Sequence, residues 1–200
     1  MAKYFDPEIS ILEIEPRIWR RFLIKSEATF LDLHDAIQDA CGWERKHLYE
    51  FRHFDERGSR VRRPIRRIAR CEQAEVLDDD IVPFAEDLQL DSFFPEKEDR
   101  CLYLYDFGNG WRHLVQLKGV VESSERFTRR LLNGAMACPP EDCGGRSGYE
   151  ECCEAINMSD AEIRKLDASA REEIEWRIEW LDGWQPDEFD LEAVGKRFED

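Results

Sequence analysis

The residues best suited to chemistry are a set of histidines and carboxylates: His34, His47, Asp106, His113, Glu141 and Asp142. Imidazole beside carboxylates can bind a divalent cation or move protons in acid–base catalysis. Asp106, His113, Glu141 and Asp142 are therefore the catalytic candidates. Asp106 and His113 fall on opposite arms of one expected hairpin, near its tip, where they could meet. The competing explanation is that each histidine lies at a core boundary and bonds locally.

A second constellation is cysteine-based. The seven cysteines are Cys41, Cys71, Cys101, Cys138, Cys143, Cys152 and Cys153. Zinc prefers four thiolate or imidazole ligands in a tetrahedron, so Cys138, Cys143, Cys152 and His113 are the candidate set for a structural site. Four residues separate Cys138 from Cys143, where such sites commonly use two, and adjacent Cys152 and Cys153 cannot easily share one ion. The odd count, with no apolar run behind a basic segment in MAKYFDPEIS, points instead to reduced thiols in the cytoplasm. No cofactor is expected beyond zinc or another divalent metal, and no stretch is long and apolar enough to imply a membrane.

Charge is unevenly placed. The net charge is −16, a handicap for non-specific binding to phosphates. Yet Arg52, Arg57, Arg60, Arg62, Arg63, Arg66, Arg67 and Arg70 face only Asp55 and Glu56 in their stretch, while the chain after Glu150 is rich in acids. Arg62, Arg63, Arg66 and Arg67 are the nucleic-acid-binding candidates. The alternative is that the strip neutralises the acidic tail, within or between subunits.

Local patterns supply the elements that must position these groups. Alternation predicts strands over Tyr4–Ile14, Ile18–Ile24 and His47–Phe54. Thr29 as N-cap, acidic Asp32 in the first turn, and Phe30, Leu33, Ile37 and Cys41 at helical spacing predict a helix ended by Gly42. Two apolar arms around Gly108-Asn109-Gly110 predict a hairpin from Leu102 to Val121. Phe127–Leu132 reads as a short helix. The run Cys138–Gly148 (CPPEDCGGRSG) must be a constrained loop, either packed beneath the hairpin or displaying Glu141 and Asp142 rigidly. Helical character resumes at Tyr149–Ile156, and Ser159 with Glu162 forms a capping box for a helix running to about Leu181. The end of the chain reads as an acidic segment with one last helical turn. Trp19, Trp43, Tyr49, Phe51, Tyr103, Tyr105, Phe107 and Trp111 read as core rather than as a base-stacking platform.

Five blocks in this order, IEPRIWRRFLI, TFLDLHDAIQDACGWERKHLYEF, YDFGNGWRH, CPPEDCGGRSGYE and QPDEFDLEAV, resemble the plasmid pRiA4b ORF-three-like family. The resemblance spans nearly the whole chain and is weakest after Phe54. It implies a plasmid- or transposon-associated setting, sometimes under a resolvase-like name, and no defined reaction. A serine recombinase needs an arginine-activated serine and a separate basic module, and no arrangement in this sequence supplies both.

The expected fold is α+β: a mainly antiparallel sheet with one packed helix, in a strand-strand-helix-strand order compatible with a β-grasp-like core, and helices collected at the C-terminus. Residues 1–200 read as one domain with an acidic tail from about 183. The leading function is a non-enzymatic binding or accessory protein of mobile elements, with a protein or nucleic-acid partner. The alternatives are a metal-dependent enzyme acting on nucleic acid through the histidine and carboxylate set, and a structural-zinc protein.

Overall fold

The computed structural model describes the backbone of residues 1–54, 64–69, 81–82, 85, 87–94 and 99–199. Its frame is an eight-stranded sheet in the order β5-β4-β3-β6-β7-β1-β2-β8. In chain order the strands are β1 (Ala2–Ile11), β2 (Trp19–Lys25), β3 (Tyr49–Phe54), β4 (Pro64–Ala69), β5 (Ile81–Val82), β6 (Arg100–Tyr105), β7 (Trp111–Ser123) and β8 (Arg129–Ala135). Neighbours are antiparallel except β4 and β5, which pair in parallel through Arg67 with Ile81. The α+β class holds. The β-grasp likeness fails at the centre of the sheet: β1 is flanked by β2 and β7, both antiparallel, where a β-grasp core has a parallel pair.

Helix α1 (Phe30–Cys41) begins at Thr29, whose side chain accepts from the Asp32 N–H while the Asp32 carboxylate accepts from the Thr29 N–H. It stops at Gly42, held at φ +81°, where a non-glycine residue would be strained. Phe30, Leu33, Ala36, Ile37 and Ala40 are buried, and the Phe30 ring sits 4.9 Å from both Phe51 and Phe93. Each large side chain buried here contributes roughly 1.5–3 kcal/mol. His34 is part of this packing and not of a site: its Nδ1 lies 2.7 Å from the Tyr103 hydroxyl, and its ring stacks on Tyr49.

Three expectations are corrected on the C-terminal side. Residues 127–132 do not form a helix; β8 occupies the free edge of β2, pairing Ile24 with Arg129 and Trp19 with Ala135. Satisfying that edge's backbone groups outweighs a local helical preference. The helix expected from Ser159 to Leu181 is two helices, α3 (Asp160–Ile163) and α4 (Ala168–Trp180). Asp167 caps the second by accepting from the Ala170 N–H. Along these helices Ile163, Leu166, Ile174 and Ile178 are half-buried, Leu181 just beyond α4 is buried, and Trp176 is 59 % exposed. Before these helices in the chain comes α2 (Gly145–Asn157), which packs on α4. The acidic tail is more than one helical turn: α5 (Leu191–Glu199) buries Phe198 against Phe22, with ring centroids 5.1 Å apart.

His113 is also corrected. On β7 the residues Trp111, His113, Val115 and Leu117 alternate inward, so His113 shares the core face with apolar neighbours. It lies opposite Tyr103, fully buried, with its ring edge-on to Trp43 at 5.4 Å. Neither ring nitrogen has a hydrogen bond of normal geometry. Burial pushes its pKa down to about 3, opposed only in part by the nearby Tyr103 and Trp111 backbone. The folded protein thus holds His113 neutral while the unfolded chain protonates it near pH 6.5. Stability should therefore fall as pH drops from about 6.5 toward 3, by up to roughly 5 kcal/mol from this group. His113→Leu should flatten that part of the urea-measured stability profile and be at least as stable as the parent at pH 5. A variant with an unchanged acid slope would show that other groups govern it.

Candidate metal centre

The hairpin of β6 and β7 is the platform. Its connection, Asp106–Gly110, is built around the Asp106 carboxylate, which accepts from the backbone N–H groups of Gly108 and Asn109 at 3.1 and 3.2 Å and from the Asn109 side-chain amide at 2.6 Å. Asp106 has φ +53°, in the left-handed region that Asp tolerates better than most residues. The Gly108-Asn109-Gly110 turn expected from sequence is present, lengthened by Asp106 and Phe107.

The Cys138–Gly144 loop closes over this tip from the side. Two indoles hold it: Trp43 donates its N–H to the Pro139 carbonyl at 2.8 Å, and Trp184 donates to the Cys138 carbonyl at 3.0 Å. Two glycines let it turn into α2. A Cβ on Gly145 would stand 2.9 Å from the Asn109 carbonyl oxygen, and one on Gly148 only 1.7 Å from that of Cys143. The loop is both packed against the hairpin and a display for Glu141 and Asp142, so the two readings of CPPEDC hold together.

Glu141 turns inward. Its Oε1 accepts from the Tyr105 hydroxyl at 2.6 Å, and its Oε2 accepts from the Glu44 N–H. Tyr105 is held protonated, first by burial and then by this carboxylate. Asp142, at φ +60°, points to His47, whose Nε2 lies 2.7 Å from its Oδ1. The same nitrogen is 3.7 Å from Asp106 Oδ2 and 3.9 Å from Glu141 Oε1. His47 comes from the connection between α1 and β3, so three chain segments meet at one imidazole.

His47, Asp106 and Asp142 each present one ligand-type atom, and these atoms all lie within 4.8 Å of one another. Three carboxylates surround one imidazole, and Lys46, next to His47 in the chain, is itself paired with Glu44 at 2.8 Å. A divalent ion would neutralise this concentration of negative charge. Three protein ligands would leave positions free for water or substrate, as in catalytic rather than structural sites. Asp142 and His47 are the solvent side of the cluster, with side chains 51 % and 30 % exposed.

Of the sequence candidates, Asp106, Glu141 and Asp142 converge and His113 does not. His47, named in the wider set, is the imidazole that replaces it. The zinc set of Cys138, Cys143, Cys152 and His113 is not brought to one point: among the described residues, the ligand-type side chains that come together are His47, Asp106 and Asp142. The six described cysteines are unbridged. Arg62 and Arg63 lie outside the described residues, and Arg66 and Arg67 are described only as backbone of β4. Arg52 pairs with Glu50 rather than with the tail.

Fold and centre together define an α+β protein with a carboxylate-rich cluster at a hairpin tip. The chain belongs to the family described as Plasmid pRiA4b ORF-3-like protein, which matches residues 3–193. It is 30 % identical over 156 residues to the uncharacterized protein y4hQ of Sinorhizobium fredii, covering 74 % of this chain and 71 % of that protein. The crystal structure of MM3350, a protein of unknown function from Methanosarcina mazei Go1, is similar with a TM-score of 0.76 and 31 % identity, over 97 % of this chain and 98 % of that one. Neither relative's description assigns a reaction. No helix among the described residues is long and apolar enough to cross a membrane.

The loop geometry makes Gly148 a sensitive position. Gly148→Ala should cost about 3 kcal/mol, because the methyl group overlaps a backbone carbonyl that cannot rotate away. Urea denaturation measures this; a loss below about 0.5 kcal/mol, the range of ordinary surface changes, would show that the loop yields.

Proposed function

We propose that this chain is a divalent-metal-binding protein and that it acts through the bound ion. His47, Asp106 and Asp142 would be the ligands. The observation that carries this reading is the convergence of those three side chains, with Glu141 beside them, from segments far apart in sequence. One imidazole among carboxylates suits manganese, zinc or ferrous iron better than a thiol-selecting soft ion. A bound divalent ion lowers the pKa of its water and so supplies a nucleophile near neutral pH. Glu141, fixed by Tyr105 and the Glu44 N–H, is placed to take a proton from such a water. This favours the metal-dependent enzyme over the other sequence readings, with hydrolysis as its reaction class.

Nucleic acid is the less supported substrate. Of the candidate arginines, Arg66 and Arg67 pair with His53 and Arg52 on the half of β3 away from the centre, which lies before Tyr49. Three to four residues of strand separate them from that end by roughly 10–13 Å. A second reading, the non-enzymatic binding protein, draws on a different surface. Trp176 and Trp180 stack on α4, 59 % and 39 % exposed, among acidic residues, which suits a protein partner carrying positive charge. A setting on mobile elements belongs to this reading as well.

Thermal melts with Mn2+ or Zn2+ test the ion. At about 100 times the dissociation constant, ligand-linked stabilisation is roughly 2.7 kcal/mol, a rise in Tm of roughly 5–10 °C for a chain of this size. Asp142→Asn, which suits its positive φ, should fold normally and lose most of that rise. An equal rise in the variant, or none in the parent, overturns the metal reading. Metal binding without turnover of generic ester and phosphodiester substrates returns the function to the binding class.

A further inference from the structure

Helix α4 turns Ile174 and Ile178 inward and leaves two indoles outside. Trp176 and Trp180 are one turn apart, with ring planes 14° from parallel and centroids 6.3 Å apart. Neighbouring exposed indoles form the kind of patch that marks an interaction surface. Four arginines of this chain already lie over its own rings: Arg17 over Trp19, Arg20 over Phe189, Arg129 over Phe198 and Arg130 over Phe127. Among the described residues no cation lies over Trp176 or Trp180.

The carboxylates beside these rings are free to take a cation. Glu172, Glu175 and Glu179 recur at three- and four-residue spacing, so they form one row along the helix. Trp176 and Trp180 flank that row on one side. On the other lies an open groove of about 420 Å³, lined by Glu175, Ile178 and Glu179 together with Asp160, Ile163 and Arg164. The cations of α4 are engaged elsewhere. Arg177 pairs with Glu151 and Glu173, and Arg171 donates to the carbonyls of Ile163, Arg164 and Leu166. Among the described residues Glu172, Glu175 and Glu179 hold no ion pair. Residues 160–182 carry eight carboxylates against four cations, so the surface repels phosphates and attracts positive charge.

We propose that this face binds an arginine side chain presented by a partner protein, an inference that rests on the binding-protein reading above and names its ligand. The guanidinium would stack on the Trp176–Trp180 pair while its N–H groups donate to Glu172 and Glu179. Arginine fits better than lysine because its planar, weakly hydrated head can stack on a ring and fork to carboxylates at once, whereas an ammonium is compact and strongly hydrated. Ile163 and Ile178 give the groove an apolar lining for the side chain next to that arginine. Tryptophan and arginine are also the residues that most often anchor protein interfaces.

The test uses the full chain in EDTA, so that its outcome is independent of the cation site. The probe is a fluorescein-labelled peptide of alternating serine and arginine, followed by anisotropy at low and high salt, beside its lysine and citrulline counterparts. The arginine peptide should bind, the lysine peptide several-fold more weakly, and the neutral citrulline peptide not at all. Trp176→Ala with Trp180→Ala should weaken binding roughly tenfold and keep its salt dependence. Phenylalanine at both positions should recover part of the affinity. Glu172→Gln with Glu179→Gln should weaken binding and flatten the salt dependence, while the same change at exposed Glu27 and Glu122 should do neither. If the alanine variant melts early, the glutamine variant and the peptide series decide. Unchanged affinity in a folded alanine variant overturns the proposal. Equal binding of arginine and lysine peptides overturns the arginine assignment but leaves a cationic partner, whereas no binding of either removes the cationic-partner reading as well. Self-association of the parent that the alanine variant loses and the arginine peptide cannot compete gives the face to a second copy, and overturns the proposal too.

Discussion

Trp43 donates its indole N–H to the Pro139 carbonyl while its ring stacks on Tyr105 at 5.1 Å, tilts against Trp111 at 6.0 Å and meets His113 edge-on. The residue follows the Gly42 cap, so the end of α1 is fixed directly to the hairpin and to the Cys138–Gly144 loop. Tyr105, held beneath that indole, donates to Glu141, and the backbone N–H of Glu44, next after Trp43, donates to the other oxygen of the same carboxylate. One buried aromatic thus sets the relative positions of the three segments that meet at His47. A hydrogen bond between a buried indole and a carbonyl is modest in net energy. Leaving either partner unpaired in the core costs more, so the arrangement is specified more by what it avoids than by what it gains.

The centre sits where rigid elements end. Asp106 follows the last residue of β6, His47 precedes β3, and Asp142 lies on a loop held by two indoles. Positive φ at Asp106 and Asp142 turns both carboxylates toward the same imidazole. Strain of this kind persists where the surrounding packing over-determines it, and it is common where side chains are held for binding. The buried residues behind the cluster, Tyr49, Tyr103, Tyr105 and Trp111, keep water from one side only. Asp142 stays open to solvent on the other.

Much of this was legible in the residues. Thr29, Asp32 and Gly42 mark α1 to within a residue because capping is local chemistry. The Gly108–Gly110 signal fixes the hairpin for the same reason, and Asp106, Glu141 and Asp142 could be named because they sit on turns that local sequence defines. What stayed hidden depends on distant partners. Parity along β7 puts His113 with Trp111, Val115 and Leu117, a pattern visible in the sequence but outweighed by the apparent closeness of His113 to the hairpin tip. His47 meets Asp142 across 95 residues, and no spacing rule reaches that far. β8 exists because β2 offers an unpaired edge, and Phe198 makes the acidic tail a packed helix because Phe22 waits in the sheet.

The central claim is that His47, Asp106 and Asp142 share one cation. Diffraction from crystals soaked with zinc, collected at the zinc absorption edge, tests it most directly. An anomalous peak should lie about 2.0–2.2 Å from His47 Nε2 and from a carboxylate oxygen of each aspartate, with the 2.7 Å contact between His47 and Asp142 replaced by bonds to the ion. A crystal that holds zinc elsewhere, or none at all, with the His47–Asp142 hydrogen bond intact, would contradict it.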